Sequence, residues 1–467
     1  MSAKVILFEL NEVPWRVVED FVDHHPHSHL ATLLPGMRQY ETHAEDTALS
    51  PWITWPTLHR GVSDEHHTIS DFGQDLSEVN AAYPPVWEIL ARRGIPTGVC
   101  GSLHTYPLPP NVSDYAFYIP DVFAAGSECF PKTVECFQEF NLDLSRASAR
   151  NVAPVLPWRK ALRLLARAPE LGLRAGTLAD VGLQVARERH RPWMRVRRRT
   201  YQVVLAFDIF MKLLAEHRPA FATFFTNHVA SSMHRYWAAR YPADYAQFSY
   251  PSDWVDTYRH EIMWTMSKFD AMLGRLAAFL QRHADYQLWI ATSMGQAATE
   301  ASAVQTQVYL EDVEAFMRRL GFAGGDWEVR PAMLPRVIIA MRHGTAVAFE
   351  HRLGRIRIAD RGPLPWKRLD SDVFRIHPGA LQNVRDEYCV MGDERVPFAK
   401  IGFRNVEIED SAGQSAYHVP HGVLLIHDPQ RSAAPQARTQ LSTLDVAPML
   451  LNRLGMPPQP GMRRLHA

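Results

Sequence analysis

The sequence predicts an α/β fold with a mostly parallel sheet. Apolar runs of strand length alternate with segments of helical period, several runs end in polar residues, and glycine closes several of the helical segments. This β-α-β rhythm is typical of parallel sheets. At 467 residues the chain is longer than one simple core requires, so we expect a large α/β domain that carries insertions.

The first predicted strand is the apolar run 5–10, and polar residues stand at its end. Glu9, Asn11 and Glu12 lie where α/β folds place their ligands. Asn11 could instead cap the helix that begins near Pro14. Because successive strand residues point to opposite faces, Glu9 is predicted to share a face with Asn11, whereas Glu12 stands at the point where the strand ends.

The stretch 50–61 is the most distinctive motif of the chain. Thr54 stands between two tryptophans and two prolines, which predicts a stiff turn. The run after Pro56 is predicted to begin a helix whose N-terminus attracts anions. Thr54 is therefore the candidate nucleophile, directed at a phosphate-like group. An aromatic-rich turn that merely packs against a core is the alternative.

Later predicted strands also end in polar residues. Strand 219–226 leads to Asn227 and His228, strand 286–292 leads to Ser293, and His418 precedes the closing strand 423–426. Parallel strands present the same ends at one edge of a sheet, so these residues are expected to gather near Asn11 and Thr54. His228 and His234 could alternatively do no more than begin a helix.

Two stretches interrupt this pattern and define the expected organisation. The α/β core is predicted at 1–140, 216–321 and 417–467, with a helical basic cap at 141–215 and a mixed, β-leaning insertion at 322–416. Between residues 157 and 200, twelve basic residues stand against three acidic ones, and leucines supply apolar helix faces. A solvated cap is one interpretation. The other is a surface in 158–199 that recruits an anionic substrate or lies on an anionic membrane.

Composition excludes several classes of function. Lys plus Arg and Asp plus Glu both number 50, so no nucleic acid partner is expected. No apolar run is long enough to span a bilayer, and the apolar segment near Met1 is too short for a signal peptide. The four cysteines show no pairing or metal-binding pattern, which indicates a reducing compartment. A cytoplasmic protein is expected, while the oligomeric state is not predicted.

The motifs, in order along the chain, resemble the alkaline phosphatase superfamily, and most closely its type I phosphodiesterase and nucleotide pyrophosphatase branch. The matching pieces are the strand 5–11, the Thr-x-Pro turn 53–56, Gly61 with 65–69, the histidines of 227–234, the run 418–422 and the closing helix 445–455. The resemblance implies an alkaline-phosphatase-like central sheet between helices. It also implies phosphoester hydrolysis by Thr54 with two divalent metals about 4 Å apart.

Departures from the family pattern predict a reduced metal site. The first-strand Asp of the family is Asn11 here, and its Ser-Asp-His-Gly segment is 293–296, Ser-Met-Gly-Gln. Because a thioether is a poor ligand for hard dications, these changes weaken the case for the metal beside Thr54.

For the other metal position, the resemblance implies ligation by histidine. His234 and His418 remain there, and His228 is the candidate for the missing Asp, so one Zn²⁺ or Mn²⁺ is expected. Glu9 or Glu12 could supply the lost negative charge. The residues expected to contact the substrate or to support the metal ligands are Glu9, Asn11, Glu12, His67, Asn227 and Ser293.

Three functions therefore stay open on the sequence. The first is a phosphodiesterase or phosphatase with a divergent active site, acting on a small-molecule, lipid or sugar phosphoester. The second is a transferase or lyase on the same scaffold, because amides and arginines can hold a phosphoryl group without two metals. The third is a catalytically inactive relative that binds a ligand or partner.

Overall fold

The computed structural model describes residues 4–146, 151–152, 156–330, 332, 334–359, 362–381, 387–431 and 437–463. The strands are β1 Lys4–Leu10, β2 Arg38–His43, β3 Thr97–Cys100, β4 Phe117–Ile119, β5 Phe221–Thr226, β6 Tyr286–Ala291, β7 Gly295–Ala298, β8 Thr306–Leu310, β9 Trp327–Arg330, β10 Val337–Met341, β11 Ile356–Ile358, β12 Gly362–Pro363, β13 Trp366–Arg368, β14 Val373–Ile376, β15 Ala380–Leu381, β16 Tyr388–Met391, β17 Glu394–Pro397, β18 Phe403–Glu407, β19 Ala416–Val419, β20 His421–His427 and β21 Thr439–Ser442.

The helices are α1 Trp15–His24, α2 His29–Leu33, α3 Pro51–Arg60, α4 Asp64–His67, α5 Ser77–Ala82, α6 Val86–Ala91, α7 Glu135–Arg146, α8 Trp158–Ala166, α9 Ala168–Leu171, α10 Ala175–Glu188, α11 Arg198–His217, α12 His228–Arg240, α13 Ser252–Tyr258, α14 Glu261–Arg282, α15 Val313–Arg319, α16 Ala346–Leu353 and α17 Val446–Arg453. Short 3₁₀ turns connect several of them, including Pro192–Arg197 before α11.

The chain divides into two units. The first comprises Met1–Ser145, Pro154–Ala301 and Gln414–Ala467, and the second comprises Arg146–Ala153 and Ser302–Gly413. The five-part division expected from the sequence stays a prediction.

The first unit is an α/β structure around an eight-stranded mixed sheet, ordered β21-β2-β20-β6-β1-β5-β3-β4. β1 lies at its centre, parallel to β5 on one side and to β6 on the other. Only the pairs of β20 with β2 and with β6 are antiparallel among the described strands of this sheet. The expected α/β class with a largely parallel sheet is confirmed at this level.

Helices cover both faces of this sheet because the central strand is apolar on both sides. Leu7 packs in a cluster with Trp55 of α3 and Leu450 of α17. Phe8, the next residue, points to the opposite face and contacts Phe207 and Phe269 of α11 and α14. A strand buried on both faces reads as a continuous apolar run, which is why 5–8 could be identified from the sequence.

The second unit contains three small antiparallel sheets and two helices among its described residues. The sheets are ordered β13-β14-β10-β9, β12-β11-β16-β17 and β15-β8-β18. They enclose an apolar cluster that includes Phe316, Ile339, Phe349 and Phe374. The strands of this unit are only two to five residues long, so each shows too little hydrophobic periodicity to be identified from the sequence. The cluster joins residues that lie far apart in the sequence.

The basic segment 158–199 folds as α8, α9, α10, a 3₁₀ turn and the start of α11 within the first unit. One side of α8 leaves large apolar side chains in solvent: Trp158, Leu162 and Leu165 are 60%, 58% and 49% exposed. These residues are three and four positions apart, so they form one helix face. Within the described ranges, no helix has both the length and the apolar composition that a membrane crossing requires.

Candidate metal centre

The ends of three parallel strands meet at one edge of the large sheet. Leu10 of β1 pairs with Thr226 of β5, and Glu9 pairs with Ala291 of β6. The residues that follow these strands therefore lie side by side. β20 runs in the opposite direction to β6, so the chain enters β20 from the same edge and brings His418 to it.

Glu12, His234 and His418 form a compact group at this edge. The Oε2 atom of Glu12 lies 3.0 Å from Nε2 of His234 and 3.4 Å from Nε2 of His418. One potential ligand atom from each of the three residues lies within 4.8 Å of the other two. The group combines one carboxylate with two imidazoles, a donor set that suits Zn²⁺ and Mn²⁺.

The backbone fixes both imidazole rings in the orientation that a metal ligand needs. Nδ1 of His234 lies 2.8 Å from the carbonyl oxygen of Ala416, and Nδ1 of His418 lies 2.8 Å from that of Leu49. Each Nδ1–H therefore donates to a carbonyl, and Nε2 of each ring faces the Glu12 carboxylate. Metal-binding histidines almost always carry such a second hydrogen bond, because it fixes the tautomer and the ring plane.

Glu12 reaches this group through an unusual backbone conformation. Its φ angle is 61°, in the left-handed region that few non-glycine residues occupy. The chain turns sharply after β1, so the carboxylate lies over the strand end, where Asn11 Nδ2 donates to Oε1 at 2.7 Å. Burial acts to raise the pKa of Glu12, but His234 and His418 outweigh it and hold the pKa well below its ordinary value. The carboxylate is consequently ionised at neutral pH.

Gln296, which was not among the predicted site residues, completes the surroundings of Glu12. Its Nε2 donates to Glu12 Oε2, and the pairing of β7 with β19 places it opposite His418. Its Oε1 atom is buried and has no hydrogen-bond partner in the described part of the chain. An orphaned amide oxygen beside a carboxylate and two imidazoles is a further fit to a cation site. The sequence comparison gave no signal for it, since Gln296 stands at the glycine of the Ser-Asp-His-Gly segment and not at one of its metal ligands.

Glu9 does not belong to this group, although it shares a face with Asn11 as predicted. Both residues contact α3, where Trp55 and His59 lie one helical turn apart. Trp55 Nε1 donates to Asn11 Oδ1 at 2.7 Å, and His59 Nε2 lies 2.9 Å from Glu9 Oε1. The negative charge at the candidate centre therefore comes from Glu12, whereas Glu9 is buried in contact with His59.

His228 is not part of the group, in contrast to the expected set of three histidines. It is the first residue of α12, whereas His234 lies six positions further along the same helix. At roughly 100° per residue, the two side chains project about 120° apart around the helix axis. Glu12 occupies the third position instead.

Thr54 lies inside a helix rather than before one. α3 begins at Pro51 and continues through Pro56, which corrects the expectation that the helix starts after Pro56. Pro56 has no N–H for the carbonyl of Trp52, and His104 Nε2 donates to that oxygen at 2.9 Å instead. The interior proline is tolerated because another residue satisfies the carbonyl it leaves open.

The Thr54 hydroxyl is 0% exposed and hydrogen-bonded. It donates to the carbonyl of Ser50 at 3.1 Å and lies 2.8 Å from Ser293 Oγ. Its neighbour Trp55 binds Asn11, so Thr54 belongs to the same set of strand ends and helix residues as Glu12. The structure thus brings the side chains of Thr54 and Ser293 into hydrogen-bond contact.

Two other predicted site residues have clear positions. Asn227 Oδ1 accepts from Asn11 Nδ2 at 2.8 Å, so it supports the residue next to Glu12. His67 is fully buried, and its Nε2 lies 2.9 Å from Thr57 Oγ1. Burial lowers the pKa of His67 to about 4, so the ring is neutral at physiological pH. His67 contacts α3 on the turn after Thr54 rather than the Glu12 group.

Comparison with known proteins finds similarity to solved structures only. No protein-family model matches the sequence, and no curated protein matches it. Among solved structures, the chain resembles murine ectonucleotide pyrophosphatase/phosphodiesterase 5 as an inactive form in complex with AMP, with 12% identity, coverage of 98% of this chain and 96% of that chain, and a TM-score of 0.43.

A second structure of the murine protein gives 11% identity, the same coverages of 98% and 96%, and a TM-score of 0.42. The human protein gives 12% identity, again with coverages of 98% and 96%, and a TM-score of 0.39. These identities and scores are too low to support a function.

Proposed function

We propose that the chain is a metal-dependent phosphoester hydrolase of the alkaline phosphatase superfamily, related to its type I phosphodiesterase and nucleotide pyrophosphatase branch. The observation that carries the proposal is the group of Glu12, His234 and His418, with both histidines anchored through Nδ1 to backbone carbonyls. The order of the sequence motifs supports the same family. We assign one Zn²⁺ or Mn²⁺ to these three side chains.

The roles of the residues follow from their contacts. Bound there, the ion would supply a Lewis acid that polarises a phosphoryl oxygen. Glu12 provides the negative charge that favours a cation, and Asn11 and Gln296 hold its carboxylate in place through hydrogen bonds. His234 and His418 would hold the ion through Nε2, because Nδ1 of each ring is engaged by a backbone carbonyl.

Thr54 is proposed as the nucleophile or as a hydrogen-bond donor to the substrate. As a nucleophile it must lose its proton, and the Ser50 carbonyl to which it donates cannot accept one. The hydroxyl would have to leave this bond before attacking. This observation favours a second candidate, a transferase or lyase on the same scaffold, in which Thr54 positions a phosphate-type group without attacking it.

Phosphoester turnover tests the proposal. We expect the purified protein to hydrolyse bis(p-nitrophenyl) phosphate or p-nitrophenyl phosphate, to lose this activity with a chelator, and to regain it with Zn²⁺ or Mn²⁺. His418→Ala should reduce turnover by more than about 100-fold because it removes a ligand. His421→Ala is the matched control, since His421 is three residues away and exposed. Chelator-resistant turnover that is equal in both variants would contradict the proposal.

Substitutions of Thr54 separate the two candidate functions. A nucleophilic role predicts that Thr54→Ala abolishes hydrolysis while Thr54→Ser keeps part of it, because serine retains the hydroxyl. A positioning role predicts partial activity in both variants. For a transferase or lyase, a product screen with sugar and lipid phosphates should yield products that carry no oxygen from isotopically labelled water.

A further inference from the structure

The segment 44–50, which joins the end of β2 to the start of α3, holds two residues of the proposed site. The carbonyl oxygen of Leu49 lies 2.8 Å from Nδ1 of His418 and accepts its proton. The next carbonyl along the chain, that of Ser50, accepts from the Thr54 hydroxyl at 3.1 Å. Two consecutive carbonyl groups therefore orient a candidate metal ligand and the candidate nucleophile, so a displacement of this segment would disturb both.

Side chains fix this segment in place. None of its residues, all of which the structure describes, lies in a helix or a strand. Asp46, within the segment, accepts a hydrogen bond from Thr57 Oγ1 of α3. Asp64, the first residue of α4, accepts from the backbone N–H of Thr47 at 2.9 Å and also from its hydroxyl. The segment is thus attached to α3 through Asp46 and to α4 through Thr47.

His67 extends the attachment of Asp46 into a buried chain of hydrogen bonds. Its Nδ1 accepts from the N–H of Ile69 at 3.0 Å, so the single proton of the neutral ring lies on Nε2. Nε2 therefore donates to Thr57 Oγ1 at 2.9 Å, and Thr57 donates in turn to Asp46 Oδ1. His67 and Thr57 are 0% and 1% exposed. The chain starts on α4, crosses α3 and ends at Asp46.

We propose that Asp46 is a positioning residue for the candidate metal centre. Bound to Thr57, it holds the segment 44–50 at the place where the two carbonyl groups meet His418 and Thr54. Within the described part of the chain, neither oxygen of Asp46 bonds to a metal ligand, so its effect is indirect. The inference rests on the proposed function, because it assigns Asp46 a role in that same site.

The charge of Asp46 has a physical reason at this position. A carboxylate accepts a stronger hydrogen bond than an amide does, and the bond from Thr57 compensates for the regular backbone pairing that the segment lacks. The cost is that the second oxygen, Oδ2, is buried without a hydrogen-bond partner in the described ranges. Buried groups left unsatisfied in this way are rare, and they are found where a residue serves a site.

Zinc affinity, measured by competition with a fluorescent chelator, tests the proposal without relying on turnover. We expect Asp46→Ala and Thr57→Val to lower it about tenfold, because each loosens the carbonyl group that orients His418. Asp46→Asn and Thr57→Ser should stay within about threefold of the wild type, since the amide oxygen still accepts and serine keeps the hydroxyl. Asp75→Ala is the control, because Asp75 is an exposed acid that binds Ser77.

Nuclear magnetic resonance of protein that carries labelled histidine separates positioning from a general loss of structure. The Nδ1–H of His418 should give a sharp downfield signal, identified by its absence from His418→Ala, since its hydrogen bond slows exchange with water. Asp46→Ala should broaden or remove this signal. The signal of His234, whose Nδ1 bonds to a carbonyl outside the segment, should stay unchanged. Thr57→Val provides the same test if Asp46→Ala does not fold.

The outcomes distinguish this proposal from the hydrolase function. Zinc affinities of Asp46→Ala and Thr57→Val equal to that of the wild type would overturn it, as would equal changes in the signals of His234 and His418. If the hydrolase function alone is wrong, zinc binding and the His418 signal will still depend on Asp46, while no phosphoester is turned over. A wild type that binds no zinc would contradict both.

Discussion

Glu12 owes its place in the candidate centre to a left-handed backbone conformation directly after β1. Strain of this kind costs on the order of 1–3 kcal/mol and persists where the surrounding structure enforces it. Hydrogen bonds from Asn11 and Gln296 and the two histidines do so here. The sequence identified Glu12 only as one of two acids able to replace a missing charge, because alternation along a strand does not predict the turn that follows it.

Gln296 should affect metal affinity without being essential for folding. We expect Gln296→Ala to lower the affinity for Zn²⁺ by about 10–100-fold, because the variant removes a hydrogen bond that orients the Glu12 carboxylate. Competition with a fluorescent zinc chelator measures this change. Gln430→Ala, at an exposed position, is the matched control and should bind zinc like the wild type. Equal zinc affinities in the two variants would show that Gln296 does not contribute to metal binding.

Asp46 predicts a specific dependence of stability on pH. Burial, followed by repulsion from Asp64 and Glu45, raises the pKa of Asp46 from 3.8 to about 6, although Thr57 donates a hydrogen bond to it. The folded state therefore binds the proton more readily than the unfolded state. Stability associated with Asp46 is present below about pH 4 and is lost as the pH rises through about 6.

We expect Asp46→Asn to increase the free energy of unfolding by about 1–2 kcal/mol at pH 7.5, because the variant removes a partly buried negative charge and keeps an acceptor for Thr57. The gain should disappear near pH 4, where the wild-type side chain is protonated. Denaturant titrations at both pH values measure it, and Asp23→Asn, at an exposed position, is the control. A gain that is the same at both pH values would argue against this interpretation.

The histidines show what a sequence can predict about a site and what it cannot. His234 and His418 were identified from motif order, and the structure brings them together beside Glu12. His228 was included because it follows a strand, and Gln296 was given no role because it stands at the glycine of the family segment. Motif order gives the end of the sheet at which a residue lies. The direction of its side chain depends on the residue at which the helix starts. The sequence pattern does not define that start to within one residue.

At the scale of elements, α3 and β3 show how local rules depend on distant residues. α3 contains an interior proline because His104 satisfies the carbonyl of Trp52. β3 contains Gly98 because the ring of Phe117 on β4 occupies the space of a side chain. A Cβ atom at Gly98 would lie 2.2 Å from Phe117 Cζ. Neither requirement is visible in the sequence of the element itself.

Two glycine substitutions should therefore have opposite effects. Gly98→Ala should lower the free energy of unfolding by about 1–3 kcal/mol, because the added methyl group overlaps the Phe117 ring. Gly182→Ala, in the middle of α10 with nothing within 4 Å of its Cβ position, should raise it by about 0.5–1 kcal/mol. Thermal denaturation of both variants measures the difference. Destabilisation by Gly182→Ala, or none by Gly98→Ala, would contradict the packing described here.

At the scale of the whole molecule, the sequence predicted the large sheet better than the second unit. β1, β5, β6 and β20 are apolar runs of six or seven residues. The helical segments between β1, β5 and β6 indicate the parallel pairing that these three strands show, whereas β20 pairs antiparallel with β6. The second unit depends on strands of two to five residues that pair antiparallel across its own sequence, such as β11 with β16. Short strands carry too few residues for a periodic signal, so their pairing could not be derived.

The contact of segment 158–199 with an anionic membrane stays a prediction, and the exposed face of α8 makes it testable. We expect vesicles that contain phosphatidylserine to bind the protein, and added salt to weaken the binding, because the segment has twelve basic and three acidic residues. Leu162→Gln should weaken the binding with little effect on stability, since Leu162 is 58% exposed. Val347→Gln, at an exposed position of α16, is the control. Equal binding to neutral vesicles would contradict the prediction.

The metal content of the purified protein tests the central claim most directly. Mass spectrometric metal analysis after gel filtration with added Zn²⁺ or Mn²⁺ should find one ion per chain in the wild type, and none in a variant that combines His234→Ala with His418→Ala. His421→Ala should retain the ion, because His421 does not contact Glu12. A wild type that binds no ion, or a double variant that still binds one, would contradict a metal centre built from Glu12, His234 and His418.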